Sequence, residues 1–150
     1  MTDTLDDMAG NDIINSNELE DRKEELEDFE TALNDALEAL EEAAGGSPEQ
    51  TKALADIAEA SKDFGDDERA ELKALREIIQ TVDDYAGDSQ TALIRESYFK
   101  RYAQEYAEEI GAIDATANWP NNCIDWDKAA DELQIDYTSV EVGSWTYWFR

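Results

Sequence analysis

The sequence predicts a mainly α protein of the α+β class: a long acidic N-terminal helix or helical hairpin, further helices, and a small C-terminal β-hairpin unit. Three observations predict it. Residues 16–44 form an uninterrupted stretch of good helix formers with no Gly or Pro. Apolar residues at three- and four-residue spacing continue through most of residues 48–110. The last fourteen residues switch to aromatic and β-branched runs about Gly143-Ser144.

The elements follow in order. Residues 1–14 read as a flexible acidic arm, kept solvated by Asp3, Asp6, Asp7 and Asp12, with Leu5, Met8, Ile13 and Ile14 able to dock on the body. Asn15 with Glu18 fits a capping pair for the first long helix, with Ser16 as the competing cap. In that helix Leu19, Leu26, Leu33 and Leu40 recur every seven residues, with Phe29, Ala36 and Ala43 in the intervening slots. Such a narrow heptad seam makes residues 15–65 coiled-coil-like and invites a homodimer.

Gly45-Gly46 stops the first helix, and Ser47 with Pro48 opens a second over 48–63, with Leu54, Ile57 and Ala58 inward. Phe64-Gly65-Asp66 breaks it. A third helix, about 67–86, turns Leu72, Leu75, Ile78, Ile79, Val82 and Tyr85 inward. Gly87 ends it, and Asp88 or Ser89 caps a fourth helix, about 90–110. There Leu93, Ile94, Tyr98, Tyr102, Ala103, Tyr106 and Ile110 face the core, and Gly111 provides the left-handed cap. Asp125 caps a short helix over 126–134, and residues 137–142 and 145–149 form a hairpin that must pack on the fourth helix. Residues 66–150 thus read as a helical unit ending in that hairpin.

Charge bounds the function. The 150 residues carry 39 acids and 12 bases with no His, a net charge of −27. A polyanion of this strength is repelled by nucleic acid and by anionic membrane, so its partners are basic surfaces. No apolar run reaches the length of a membrane span, the N-terminus lacks the features of a secretion signal, and a single Cys fits a reducing cytoplasm. Cys123 reads as a small buried residue, because no base accompanies it. No phosphate loop, nucleophile elbow, metal cluster or calcium loop is present, and solvated carboxylates lack the pocket that general-acid chemistry needs. Neither an enzyme nor a cofactor is therefore expected. Trp148 falls on the opposite face from Trp145, Tyr147 and Phe149, and is the aromatic expected to reach solvent.

The candidate site is the acid array. Residues 16–44 hold twelve acids (Glu18, Glu20, Asp21, Glu24, Glu25, Glu27, Asp28, Glu30, Asp35, Glu38, Glu41 and Glu42) against Arg22 and Lys23. As a helix that is one negative charge per ~3.5 Å, close to the ~3.4 Å phosphate spacing along one DNA strand. Pairs such as Glu20–Glu24, Glu24–Asp28 and Glu38–Glu42 place like charges at i, i+4, which destabilises a helix. Repulsion accepted repeatedly argues for presenting charge to a partner. Asp56, Glu59, Asp63, Asp66, Asp67, Asp83 and Asp84 extend the array.

The C-terminal third resembles the ArdA-type antirestriction proteins of phages, plasmids and transposons. Glu109-Ile110-Gly111-Ala112, Asn122, Ile124-Asp125-Trp126 and Leu133 match that family's helix end, loop and following helix start, with Trp126 where the family usually has Tyr. The resemblance covers about residues 90–150, weakens through 66–89 and is absent from the first 65, where the family has a small α/β domain. It implies a DNA mimic that occupies the DNA-binding groove of a type I restriction–modification enzyme in the bacterial cytoplasm. An anti-CRISPR inhibitor of a Cas complex rests on the same charge argument. A coiled-coil assembly protein with acids only for solubility is the alternative from a different class.

Overall fold

The computed structural model describes residues 2–87 and 89–150. Six helices and one four-stranded sheet make a mainly helical α+β protein. In chain order they are α1 (Leu5–Met8), β1 (Ile13–Asn15), α2 (Ser16–Glu42), α3 (Pro48–Asp63), α4 (Asp66–Ala86), β2 (Ala92–Arg95), α5 (Phe99–Glu109), α6 (Trp126–Gln134), β3 (Thr138–Val142) and β4 (Trp145–Phe149).

The local signals set most boundaries. Asn15 N–H donates to the Glu18 carboxylate at 2.9 Å, the Glu half of the expected capping pair. The Ser47 hydroxyl accepts from Gln50 N–H at 3.1 Å with Pro48 in the first turn, and the Asp125 carboxylate accepts from Lys128 N–H at 3.1 Å. Val142 and Trp145 pair across Gly143-Ser144, and Gly143 has φ +61. A positive φ at the first turn position followed by an ordinary residue is the type II′ hairpin pattern, which glycine alone adopts without strain.

The sheet is antiparallel throughout, in the order β1-β2-β4-β3. It therefore draws on both ends of the chain. Both of its faces are covered. Ile14, Leu93, Tyr147, Phe149, Val140 and Val142 meet Leu19, Leu26, Leu72, Leu75, Ile79 and Val82 from α2 and α4 on one side. On the other side Ile94 and Trp148 meet Phe99, Ala103, Ala130 and Tyr137.

Three expectations change. The arm is ordered structure: Leu5 and Met8 are buried, Ile13–Asn15 pair with Ala92–Ile94, and the Tyr147 hydroxyl donates to Asn11 C=O at 2.6 Å. Ala92–Arg95 is a strand rather than the start of a helix, because Leu93 and Ile94 enter opposite cores, as the twofold alternation of a strand allows. The capping role given to Asp88 lies outside the described residues. The C-terminal hairpin is half of a larger sheet rather than a pair of strands on a helix.

The heptad seam is covered within the chain. Leu19, Leu26, Leu33 and Ala36 are buried, and α2 lies against both α3 and α4, so α4 packs across the boundary expected near residue 65. No free leucine stripe remains over Leu19–Leu33 for a coiled-coil dimer. On α3 the inward stripe is Ala53, Ile57, Ala60 and Phe64, one position away from the expected Leu54 and Ala58, and Leu54 is exposed. The α4 stripe ends at Ala86, leaving Tyr85 in solvent, and Ile110 lies exposed beyond the end of α5.

Candidate partner-binding surface

An α-helix advances 100° per residue, so residues three and four apart share a face. Asp21, Glu24, Asp28, Asp35, Glu38 and Glu42 follow that spacing along α2, on the side opposite Leu19, Leu26 and Leu33. All six are exposed, and none has an ion pair or side-chain hydrogen bond among the described residues. They form an acidic spine about 32 Å long, at ~1.5 Å of rise per residue.

The other acids of α2 divide differently. Glu18 caps the helix, and Glu20 pairs with Lys23 at 2.9 Å. Glu25 pairs with Arg22 at 2.7 Å, and Glu27 and Glu30 reach Arg76 of α4 at 3.2 and 3.1 Å. Glu41 is exposed and unpaired. Five of the twelve candidates thus have partners inside the chain. The spine carries one charge per ~6 Å, wider than the ~3.5 Å that counting every acid suggests. The spacing coincidence with one DNA strand therefore does not hold for the unpaired charges.

Among the further acids, the fold brings three together beside Asp35. Asp35 of α2 and Asp56, Glu59 and Asp63 of α3 line an open groove floored by Ala32, Ala36, Ala39 and Ala60. Lys52 meets Asp56 at 2.6 Å and Lys62 meets Glu59 at 2.8 Å, both in solvent, where such pairs contribute little. Among the described residues no group of three or more His, Cys, Asp or Glu is placed to hold a metal ion, so these carboxylates are spread rather than convergent. Asp66, Asp67, Asp83 and Asp84 lie apart from this groove. Asp66 faces Arg69 at 3.6 Å, Asp84 accepts from Gln80 at 2.8 Å, Asp83 opens beside Glu20, and Asp67 opens toward α1 and β3.

Behind the spine sits a buried cation that charge counting missed. Arg22 is 7% exposed. Its Nε and Nη2 donate to the two carboxylate oxygens of Glu71, each at 2.9 Å, and its Nη1 donates to Glu25 at 2.7 Å. Glu71 also accepts from Leu5 N–H at 2.7 Å, and Glu25 from the Thr2 hydroxyl at 2.5 Å. The network ties the N-terminal segment to α2 and α4. Burial opposes charge on Glu71, but the Arg22 guanidinium and Leu5 N–H outweigh it and hold the carboxyl below its ordinary value. The Thr2 hydroxyl, then Arg22, does the same for Glu25. One signal was available: Arg22 lies three residues after Leu19, inside the apolar stripe.

Two further residues depart from expectation. Cys123 is exposed, on a short 3₁₀ turn outside both cores. Trp148 is half-buried under α5 and α6, and the outward indole is Trp145, under the Arg95 guanidinium at 5.2 Å. The second core explains this, since neither face of β4 is left open.

Compared with known protein families, curated proteins and solved structures, the chain matches none. No helix among the described residues is long and apolar enough to cross a membrane.

Proposed function

We propose that this chain is an acidic DNA mimic of a phage or mobile element. It inhibits a bacterial DNA-binding defence system, a restriction–modification enzyme first, by occupying a Lys/Arg-lined groove in the host cytoplasm. The observation that carries the reading is the spine: six exposed carboxylates on one face of α2 with no ion pair among the described residues. A rigid row of uncompensated charge costs helix stability through repulsion and gains attraction only from a cationic partner. Asp56, Glu59 and Asp63 in the α2/α3 groove add a second row beside it. The resemblance of residues 90–150 to ArdA-type proteins supports the same target class. The mechanism is stoichiometric competition, with no chemical step and no cofactor.

The same surface suits a Cas effector, so the target is decided by competition. Labelled duplex is bound to a type I restriction enzyme or to a Cas complex, and the chain is titrated in at rising sodium chloride. The expected result is displacement that weakens by about 10- to 100-fold between low and physiological salt, as counterion-coupled binding does. A variant carrying Glu24→Lys, Asp28→Lys, Glu38→Lys and Glu42→Lys loses displacement. Displacement by that variant at wild-type strength overturns the reading, as does failure to displace duplex from either complex. The coiled-coil assembly alternative loses its main support, because the leucine seam is covered by α3 and α4.

A further inference from the structure

The sheet ends at β3, and its outer edge is open. Val142 and Trp145 flank a two-residue turn, so Val142, Val140 and Thr138 are the residues that exchange hydrogen bonds with β4. Ser139 and Glu141 alternate with them and direct N–H and C=O away from the sheet. Both residues are exposed, and among the described residues no donor or acceptor reaches these main-chain groups. An unpaired edge of this kind is a template for another strand.

The edge opens onto a groove of about 890 Å³ between α1, α4 and β3. Its floor is apolar, from Leu5, Ala74, Ile78 and Val140. Its walls carry Asp6, Asp67 and Glu77, all exposed and without ion pairs among the described residues. Among the described residues the one cation lining it, Arg22, is already bonded to Glu71 and Glu25.

We infer that this groove binds an extended, basic segment of a partner protein, which adds to β3 as a fifth strand. Its main chain pairs with Ser139 and Glu141. Alternate side chains then point to the two faces of the sheet, so Lys or Arg at every second position faces Asp67 and Glu77 while backbone bonds set the register. A second copy of the chain is the wrong occupant, because joining two molecules of net charge −27 adds repulsion along the seam. The site is separate from the α2 spine, and neither reading depends on the other.

The probe is a short peptide alternating Lys and Val, titrated against the full chain with amide hydrogen exchange and NMR shifts as readouts. Binding should slow exchange at Ser139 and Glu141 and shift α4 resonances near Asp67 and Glu77. A peptide of the same sequence N-methylated at alternate residues keeps its charge and loses its β pairing, and should bind at least about 10-fold more weakly. Ser139→Pro removes an outward N–H that β4 does not use, a position where an edge strand tolerates proline, and should weaken the unmodified peptide similarly. The spine variant carrying Glu24→Lys, Asp28→Lys, Glu38→Lys and Glu42→Lys should keep the exchange protection. Equal binding of the N-methylated peptide, or protection confined to α2 and α3, overturns the inference. Since the N-methylated comparison uses the unaltered chain, the test does not depend on Ser139→Pro folding.

Discussion

Along α2 the acids are as dense before Leu33 as after it: eight in residues 16–33 and four in residues 34–42. Their surroundings differ. In the first part five of the eight have partners, through a cap, Lys23, Arg22 and Arg76. Leu19, Arg22, Leu26 and Leu33 are buried there against α4 and the sheet. In the second part none of the four acids has an ion pair or side-chain bond among the described residues, and only Ala36 is buried. That part leans on α3, whose one fully buried residue is Ala53. Equal acid density thus gives a bolted base and a loosely held, uncompensated tip. Charge count alone does not locate a binding surface; the bases of neighbouring elements decide which charges remain available.

The largest test of this contrast is truncation of one leucine in each part. Leu26 is fully buried in the main core, and Leu26→Ala should cost about 3–4 kcal/mol, the sum of lost transfer energy and a cavity. Leu37 is 46% exposed, and Leu37→Ala should stay within about 0.5 kcal/mol. Urea unfolding followed by circular dichroism measures both. Equal effects would mean that the tip is as firmly packed as the base.

Next in size is the Arg22 network. Glu71→Ala removes two of the three hydrogen bonds of a buried guanidinium and should cost about 2–3 kcal/mol, at the lower end for a pair that is slightly hydrated. For a chain of this size that lowers Tm by roughly 5–10 °C. The N-terminal segment should loosen first, because Leu5 N–H loses its acceptor, and faster amide exchange at Leu5 reports it.

The pH dependence reports on the same network. Glu71 and Glu25 have folded pKa values below their unfolded ones. Their contribution is therefore complete above the unfolded pKa, about 4.3, and is lost as pH falls through the folded values. Stability should therefore fall as pH drops below about 4.3. In Arg22→Met that acid-side fall should shrink, measured by urea unfolding across the pH range. An undiminished fall in Arg22→Met would show that the network does not set it.

How much of this was legible in the sequence depends on what each signal had to specify. Ser47-Pro48, Asp125 and Gly143-Ser144 act on their immediate neighbours, and α3, α6 and the hairpin stand where those residues put them. The doublets Ile13-Ile14 and Leu93-Ile94 carry no such local instruction. Each is too short to show a period, and β2, covered on both faces, reads as a plain apolar run. Their pairing, Ile13 with Ile94 and Ile14 with Leu93, is long-range, so β1 and β2 stayed hidden in an arm and a helix. The acids of the candidate surface were visible as residues. Which of them remain unpaired depends on Arg76, some 46 to 49 positions away on α4, and that no local pattern discloses.

The smallest effect is the most informative about function. Glu38 stands at i, i+4 to Glu42 and between exposed acids of the same face, with no base in reach among the described residues. Glu38→Lys turns a repelling pair into an attracting one and should stabilise the chain by about 0.3–0.5 kcal/mol, slowing amide exchange in the last turns of α2. A solubility role gives little reason to retain the weaker arrangement, because one Lys barely changes a net charge of −27. A surface kept for a cationic partner does, since the substitution that strengthens the helix removes a contact. The expected result is a variant that is more stable and binds its target several-fold more weakly. A variant that is more stable and equally active would make the tip ordinary solvated helix, whatever the base of α2 does.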